Sequence, residues 1–248
     1  MCRLFAMKAN KRVDLTLSLS DRSGDQTPDG WGLGWYTKEG PALEKAVLPA
    51  PGANPPALAT GMDTRVAVTH VRQASHGAAR VENCHPFTYK QWMFAHIGTL
   101  NHPQLLKEKL VEKRRACIKG DTDSEVFFHY IVQCIREHEL DAVAGIRTAL
   151  RRTEIDGGTR NLVLTNLNNL FAYRDLSHTA LYYLERPENL PFAMHGRELP
   201  TLHESRGLSD ERSVVVASEP LTEEAWKEIP EGYLLVVPNG LECQLIKM

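Results

Sequence analysis

The chain has 248 residues, enough to bury one large core or two small ones, and its 42% apolar and 24% charged residues are ordinary for a globular protein. With 29 Lys+Arg against 31 Asp+Glu, the formal net charge is −2 and the pI about 6.6, which argues against nucleic acid as a partner. No window approaches the roughly 18 uncharged apolar residues of a membrane span, and the N-terminus lacks the basic and long apolar regions of a secretory signal, so a cytoplasmic protein with no membrane association is expected.

In chain order, β-like runs come first: "CRLFAM" (2–7), "GLGWYT" (32–37), "RVAVTHV" (65–71) and "QWMFAHI" (91–97). Two helices follow. In "TDSEVFFHYIVQCIREHE", Val126, Phe127, Tyr130, Ile131 and Cys134 fall at helical spacing, and "DAVAGIRTALRR" repeats the pattern more briefly. Strands resume with "RNLVLTN", "NLFAYRD", "ALYYLE", "SVVVAS", "YLLVVP" and "ECQLIKM"; the first two form a hairpin with Asn168 and Asn169 near its tip. The segments 48–61 and 195–213 read as surface loops rather than linkers, because β-like runs continue on both sides. The pattern predicts sheet layers covered by helices in a single domain, 1–248.

Cys2 stands directly behind the initiator methionine. If Met1 is removed, Cys2 carries both a thiol and the free α-amine, a nucleophile and a base on one residue. The other cysteines, Cys84, Cys117, Cys134 and Cys243, make an odd total of five with no Cys-x-x-Cys pair, so reduced thiols and no structural zinc are expected. Cys134 reads as a small core residue, Cys117 as an exposed thiol in a basic stretch, and Cys84 as structural. Gly30, Gly32 and Gly34 in "PDGWGLGWY" lack dinucleotide-loop spacing and are read as allowing close packing around Trp31 and Trp35. Arg72, near the end of a predicted strand, has a guanidinium suited to a bidentate grip on a carboxylate. In "GDTDSEVFF", Thr122 is the expected N-cap, Glu125 closes a capping box, and Asp123 lies in the first turn, where it also suits a ligand ammonium.

In this order the segments "MCRLFAMKAN", "DGWGLGWY", "HVRQASHG", "NCHPF", "FAHIGTL", "GDTDSE" and "VVVASEPLTEEAW…IPEGYLLVV" resemble the class II glutamine amidotransferases, N-terminal-nucleophile hydrolases, and within them the short stand-alone members without a synthase domain. The resemblance implies an α+β fold, a four-layer αββα sandwich of two antiparallel sheets. It implies that Cys2 attacks the γ-amide of glutamine or a small γ-glutamyl compound to form a thioester, that Arg72 holds the substrate α-carboxylate and Asp123 its α-ammonium, and that the backbone N–H of Gly98 serves the oxyanion hole. No cofactor and no metal are implied. The ammonia acceptor is water or a separate synthase, and the oligomeric state is left open. One position departs from the family pattern: where members carry Asn between the His and Gly of "AHIG", this chain has Ile97, which has no side-chain donor. Asn101 is a nearby candidate substitute.

Two other readings belong beside this one. The first is a γ-glutamyl-binding regulatory protein with weak or no turnover, motivated by Ile97. The second is a metal-dependent hydrolase on His70, His76 and His85, although these lack the paired helical spacing common in metal sites.

Overall fold

The computed structural model describes residues 2–19, 29–47, 62–73, 78–154, 157–176, 179–195, 201–205 and 207–248. Two antiparallel sheets lie face to face. The first is built on β1 (Arg3–Leu19), β2 (Gly30–Tyr36), β3 (Pro41–Val47), β4 (Met62–Arg72), β9 (Tyr182–Arg186), β12 (Ser213–Ala217) and β13 (Lys227–Glu228), in the order β13-β9-β12-β1-β4-β2-β3. A hairpin of β10 (Phe192–His195) and β11 (Thr201–Ser205) joins it through the far half of β1. The second sheet has the order β15-β14-β8-β7-β6-β5, from β5 (Phe87–Tyr89), β6 (Trp92–Thr99), β7 (Thr159–Thr165), β8 (Leu170–Arg174), β14 (Tyr233–Val237) and β15 (Gln244–Lys247). Between β6 and β7 run α1 (Pro103–Glu108), α2 (Glu112–Arg115), α3 (Asp123–Glu137) and α4 (Ala142–Thr153).

Strand alternation sorts the side chains into layers. Leu4 and Ala6 of β1, Val66 and Val68 of β4, Met93, Ala95 and Ile97 of β6 and Val163 of β7 fill the space between the sheets. Phe94, Leu162, Leu164 and Phe171 point to the opposite face of the second sheet and pack against Phe127, Ile131 and Ile146 of α3 and α4. Phe5, Met7, Trp31, Leu33 and Val215 line the outer face of the first sheet, where Met194, Leu208, Leu221 and Trp226 of the β10–β11 hairpin and neighbouring turns pack. On that side the described residues contribute a short 3-10 turn, Gly207–Ser209, but no long helix.

Both long predicted helices are present, and α3 is buried continuously from Ser124 to Val132 because it sits under α4 as well as on the sheet. The Asn-rich hairpin also forms: Asn166 N–H donates to Asn169 O at 3.2 Å, and Asn166 Oδ1 accepts from Asn169 N at 2.9 Å. Two expectations change. The segment 195–213 contains β11, which pairs Thr16–Leu19 of β1 with Thr201–Glu204. The helix-start box is not reciprocal: Thr122 accepts from Glu125 N, but the Glu125 carboxylate turns to Lys119 N and Gly120 N at 3.0 and 2.7 Å, tying down the approach to the helix instead of its cap. The segment 48–61 lies outside the described residues.

Candidate active site

β1 sets where Cys2 points. Leu4, Ala6 and Lys8 share one face, toward the second sheet, and Lys8 at the far end donates to Leu167 O and Asn239 Oδ1 there. Cys2 continues that row and packs, half-buried, against the same inter-sheet core. Arg3 and Phe5 take the other face; the Arg3 guanidinium pairs with Glu219 at 3.2 Å, while Leu4 and Ser218 exchange bonds that fix the start of the strand. The nucleophile candidate therefore stands at the mouth of the space between the sheets, on an anchored strand end.

The Cys2 thiol meets the backbone of Gln73, donating to its carbonyl and accepting from its N–H, each at 3.2 Å. Burial pushes the thiol above its ordinary pKa; the Gln73 backbone and the Arg72 charge act in the opposite direction, and Asp29 adds to the rise. Arg72 itself is buried at the end of β4, and its carbonyl accepts from Asp29 N at 2.9 Å.

Behind Arg72 lies a buried layer of histidines. His70 and His85 lie with ring centroids 4.3 Å apart and planes tilted by 47°, and no ring nitrogen of either has a hydrogen-bond partner among the described residues. Burial lowers His70 to about 3, with the His96 and Arg72 charges adding, and takes His85 well below the usual imidazole range. Both rings are neutral at pH 7. The close approach of the Cys84–His85 segment is what the glycines of β2 permit: a Cβ at Gly30 would stand 2.7 Å from Cys84 Sγ, and one at Gly32 would overlap the His85 carbonyl oxygen. Cys84 donates to the Arg80 and Ala46 carbonyls at 3.5 and 3.7 Å and its pKa is raised by burial, as suits a structural thiol; Cys134 is fully buried.

β6 and α3 carry the remaining candidate residues, Gly98 and Asp123. His96 Nδ1 meets Ser124 Oγ at 2.9 Å and Nε2 meets Thr159 O at 3.0 Å, which locks the ring between the start of α3 and β7. Burial holds His96 low even though Asp123 pulls it upward. Asp123 Oδ2 accepts from Leu100 N at 2.7 Å and Oδ1 faces Ser124 Oγ at 3.4 Å, leaving acceptor capacity on a half-buried carboxylate. Gly98 is half-exposed beside them, and a Cβ there would overlap the Thr159 carbonyl. Cys2, Gln73, Gly98, Thr99 and Asp123 are each half-buried.

Ile97 faces the inter-sheet core that Cys2 borders, with no polar atom on its side chain. Directly across from it in β7 is Asn161, a buried residue that the sequence does not single out. Its Oδ1 accepts from Asp175 N at 2.8 Å and its Nδ2 donates to Thr179 O at 2.9 Å, so its amide is committed to the backbone that follows β8. Asn101 is exposed past the end of β6, with its amide nitrogen against Gly157. His76 lies outside the described residues, and among the described residues no three His, Cys, Asp or Glu side chains are grouped as metal ligands. No helix among them is long and apolar enough to cross a membrane.

Residues 1–248 match the family model of glutamine amidotransferases class-II. The chain is 29% identical to YafJ of Escherichia coli K12 over 94% of its own length and 95% of that protein. It shares the fold of a predicted glutamine amidotransferase from Pseudomonas aeruginosa, with a TM-score of 0.75, 24% identity and full coverage of both chains. It also superimposes on glutamine phosphoribosylpyrophosphate amidotransferase of Bacillus subtilis, with a TM-score of 0.61 and 16% identity over 99% of this chain and 49% of that one. Two facing antiparallel sheets with a cysteine at the head of β1, and a family match that runs the length of the sequence, make this chain a member of the class II glutamine amidotransferases.

Proposed function

We propose that the protein is a cysteine amidohydrolase that cleaves the γ-amide of glutamine or of a small γ-glutamyl compound. The observation that carries this reading is the placement of Cys2, whose half-buried thiol is held against Gln73, next to buried Arg72, at the edge of the inter-sheet core. Removal of Met1 frees the Cys2 α-amine; an α-amino group ordinarily titrates at about 7.7–8.0, so it is partly neutral near pH 7 and takes the thiol proton directly or through a water. The sulfur adds to the γ-carbonyl, the Gly98 N–H faces the oxyanion, and the nitrogen leaves as ammonia with that proton. Water then cleaves the thioester to release glutamate and regenerate the thiol. Arg72 binds the α-carboxylate through its guanidinium fork, and Asp123 uses its remaining lone pairs for the α-ammonium.

Ile97 makes this a slow enzyme, because one oxyanion donor of the family pattern is missing and Asn161 is already engaged. It also keeps alive a second reading, a γ-glutamyl-binding regulatory protein; family membership favours the hydrolase. The deciding experiment is intact-mass analysis with a glutamine-like diazoketone. Loss of Met1 and one adduct on Cys2, blocked by excess glutamine and absent in Cys2→Ala, is the expected result. A Cys2→Ala protein that hydrolyses γ-glutamyl amides at the parental rate would overturn the assignment. Released ammonia passes to water or to a separate synthase, and coupled assays with and without candidate acceptors distinguish the two.

A further inference from the structure

At the other end of β6 and α3 from Gly98 and Asp123, a groove runs over the outside of the molecule. It has two lobes of about 360 and 410 Å³ that share Tyr89, Arg114 and Arg136. Arg114, on α2, is 4% exposed, and its guanidinium lies over the Tyr89 ring, 4.1 Å from the centroid. Its Nη1 and Nη2 are buried and have no hydrogen-bond partner among the described residues, and no carboxylate there forms an ion pair with it. A planar fork of charged donors without an acceptor is an unfavourable arrangement for an empty site.

The surroundings add positive charge. Arg136 lines both lobes, Lys90 lines one and Lys113 the other. The acidic side chain that lines the groove, Glu137, is tied to Arg152 at 2.7 Å. His129, next to Tyr89 and influenced by Arg114, also has an unpartnered Nδ1 and is held neutral by burial. The walls are apolar and partly open: Val111 is 57% and Leu140 63% exposed, and buried Trp92 lines the first lobe.

We propose that this groove is a second ligand site, separate from the Cys2 centre, that takes a small phosphate monoester with an apolar or aromatic body. The charge count favours a phosphate over a monocarboxylate: two guanidinium groups flanked by two ammonium groups match a group carrying about −1.5 to −2 at pH 7. The Arg114 fork binds two phosphate oxygens where the lobes meet, Arg136 and the lysines bind from the rim, and the organic body lies against Leu140 and Trp92 of the first lobe.

The test is calorimetric titration of the full chain with phenyl phosphate, benzoate and inorganic phosphate. Phenyl phosphate should bind one per chain, about tenfold or more tighter than either comparison ligand. Arg114→Gln and Arg136→Gln should each weaken it about tenfold or more, while Cys2→Ala binds as the parent does. Exposed Arg136 and Lys113 keep the test open if Arg114→Gln does not fold, since Arg136→Gln and Lys113→Gln leave the buried layer intact. Absence of saturable phenyl phosphate binding, equal binding of all three ligands, or binding indifferent to both Arg136→Gln and Lys113→Gln overturns the proposal.

Discussion

The Cys2 thiol and the Gln73 backbone exchange two hydrogen bonds of 3.2 Å, one in each direction. A sulfur that donates to a carbonyl is in its protonated form, and burial adds to this by raising the thiol pKa. If Cys2 is the nucleophile, as proposed, it rests as a thiol that needs a base, unlike thiols activated by a neighbouring imidazolium; His70 and His85 are neutral and cannot supply that charge. Alkylation of Cys2 by iodoacetamide in protein that retains Met1 should be slower at pH 7 than that of an ordinary cysteine, and should rise through a midpoint above the ordinary thiol value. Removal of Met1 should speed glutamine-analogue labelling far more than it speeds iodoacetamide labelling. A midpoint below that of free cysteine would mean that the thiol is activated in some other way.

Ile97 points into the inter-sheet layer next to Cys2, so replacing it changes the polarity of the site without moving a strand. On the proposed mechanism Ile97→Asn supplies a side-chain donor that the oxyanion lacks, and one such donor is typically worth about 10²–10³ in turnover. The expected outcome is a rise of that order in kcat with KM little changed, together with a stability loss of about 1–3 kcal/mol from a buried amide incompletely paired in the free enzyme. Ile97→Val, which adds no donor, should leave kcat within about twofold of the parent. Steady-state kinetics of the three proteins beside thermal melts decide this. An unchanged kcat in Ile97→Asn would show that the hole is already complete without that residue.

How far these features could be read from the sequence depends on whether they are local. The alternation in "CRLFAM" is enough to put Cys2 on the face of Leu4 and Ala6, and the glycine spacing of 30, 32 and 34 is enough to expect a close neighbour, although not that it is Cys84 and His85. The strands β3 and β11 escaped because their composition is mixed and polar: β3 is an edge strand with no fully buried residue, and β11 lies in a stretch rich in charge and turn residues. Thr122 was legible as a cap because the signal spans three residues. The partner of Glu125 was not, because the loop before the helix curls back within reach of its carboxylate. Asn161 and Arg114 carry no sequence signal at all; strand register puts the first opposite Ile97, and the packing of α2 on Tyr89 buries the second.

Acid should destabilise the fold early. His70 is lowered to about 3 and His129 to about 4, and His85 and His96 are lowered too, each chiefly by burial, against an unfolded value near 6.5. Between the folded and unfolded values the unfolded chain binds more protons, so stability is fully present above about pH 6.5 and falls as the pH drops below it. Each ring contributes a slope of up to about 1.4 kcal/mol per pH unit in that window. Urea unfolding between pH 7 and pH 5 should show a slope steeper than one histidine supplies, and His129→Phe should reduce it by up to one proton. A stability that is level from pH 7 to pH 5 would contradict the buried, neutral rings.

Arg160 and Asp175 form a two-pronged ion pair, with Nε and Nη2 each 3.1 Å from a carboxylate oxygen and both side chains almost wholly buried. The same guanidinium reaches Leu150 O at 3.1 Å near the end of α4, and Tyr173 Oη meets Asp175 at 3.3 Å, so the pair joins β7, β8 and the helical layer. Arg160 is also the register partner of Gly98. Removing one member strands a buried charge, which costs about 3–5 kcal/mol, whereas replacing both with apolar groups of similar shape is often neutral. Asp175→Ala should therefore lose stability of that order in urea unfolding, and Arg160→Met combined with Asp175→Leu should recover most of it. Hydrolysis separates a structural pair from one that also sets the site: if the pair holds β7 in place under Gly98, the double variant regains its melting temperature but keeps a depressed kcat, because nothing then ties the Thr159–Arg160 backbone to α4. Full recovery of both would confine the pair to stability.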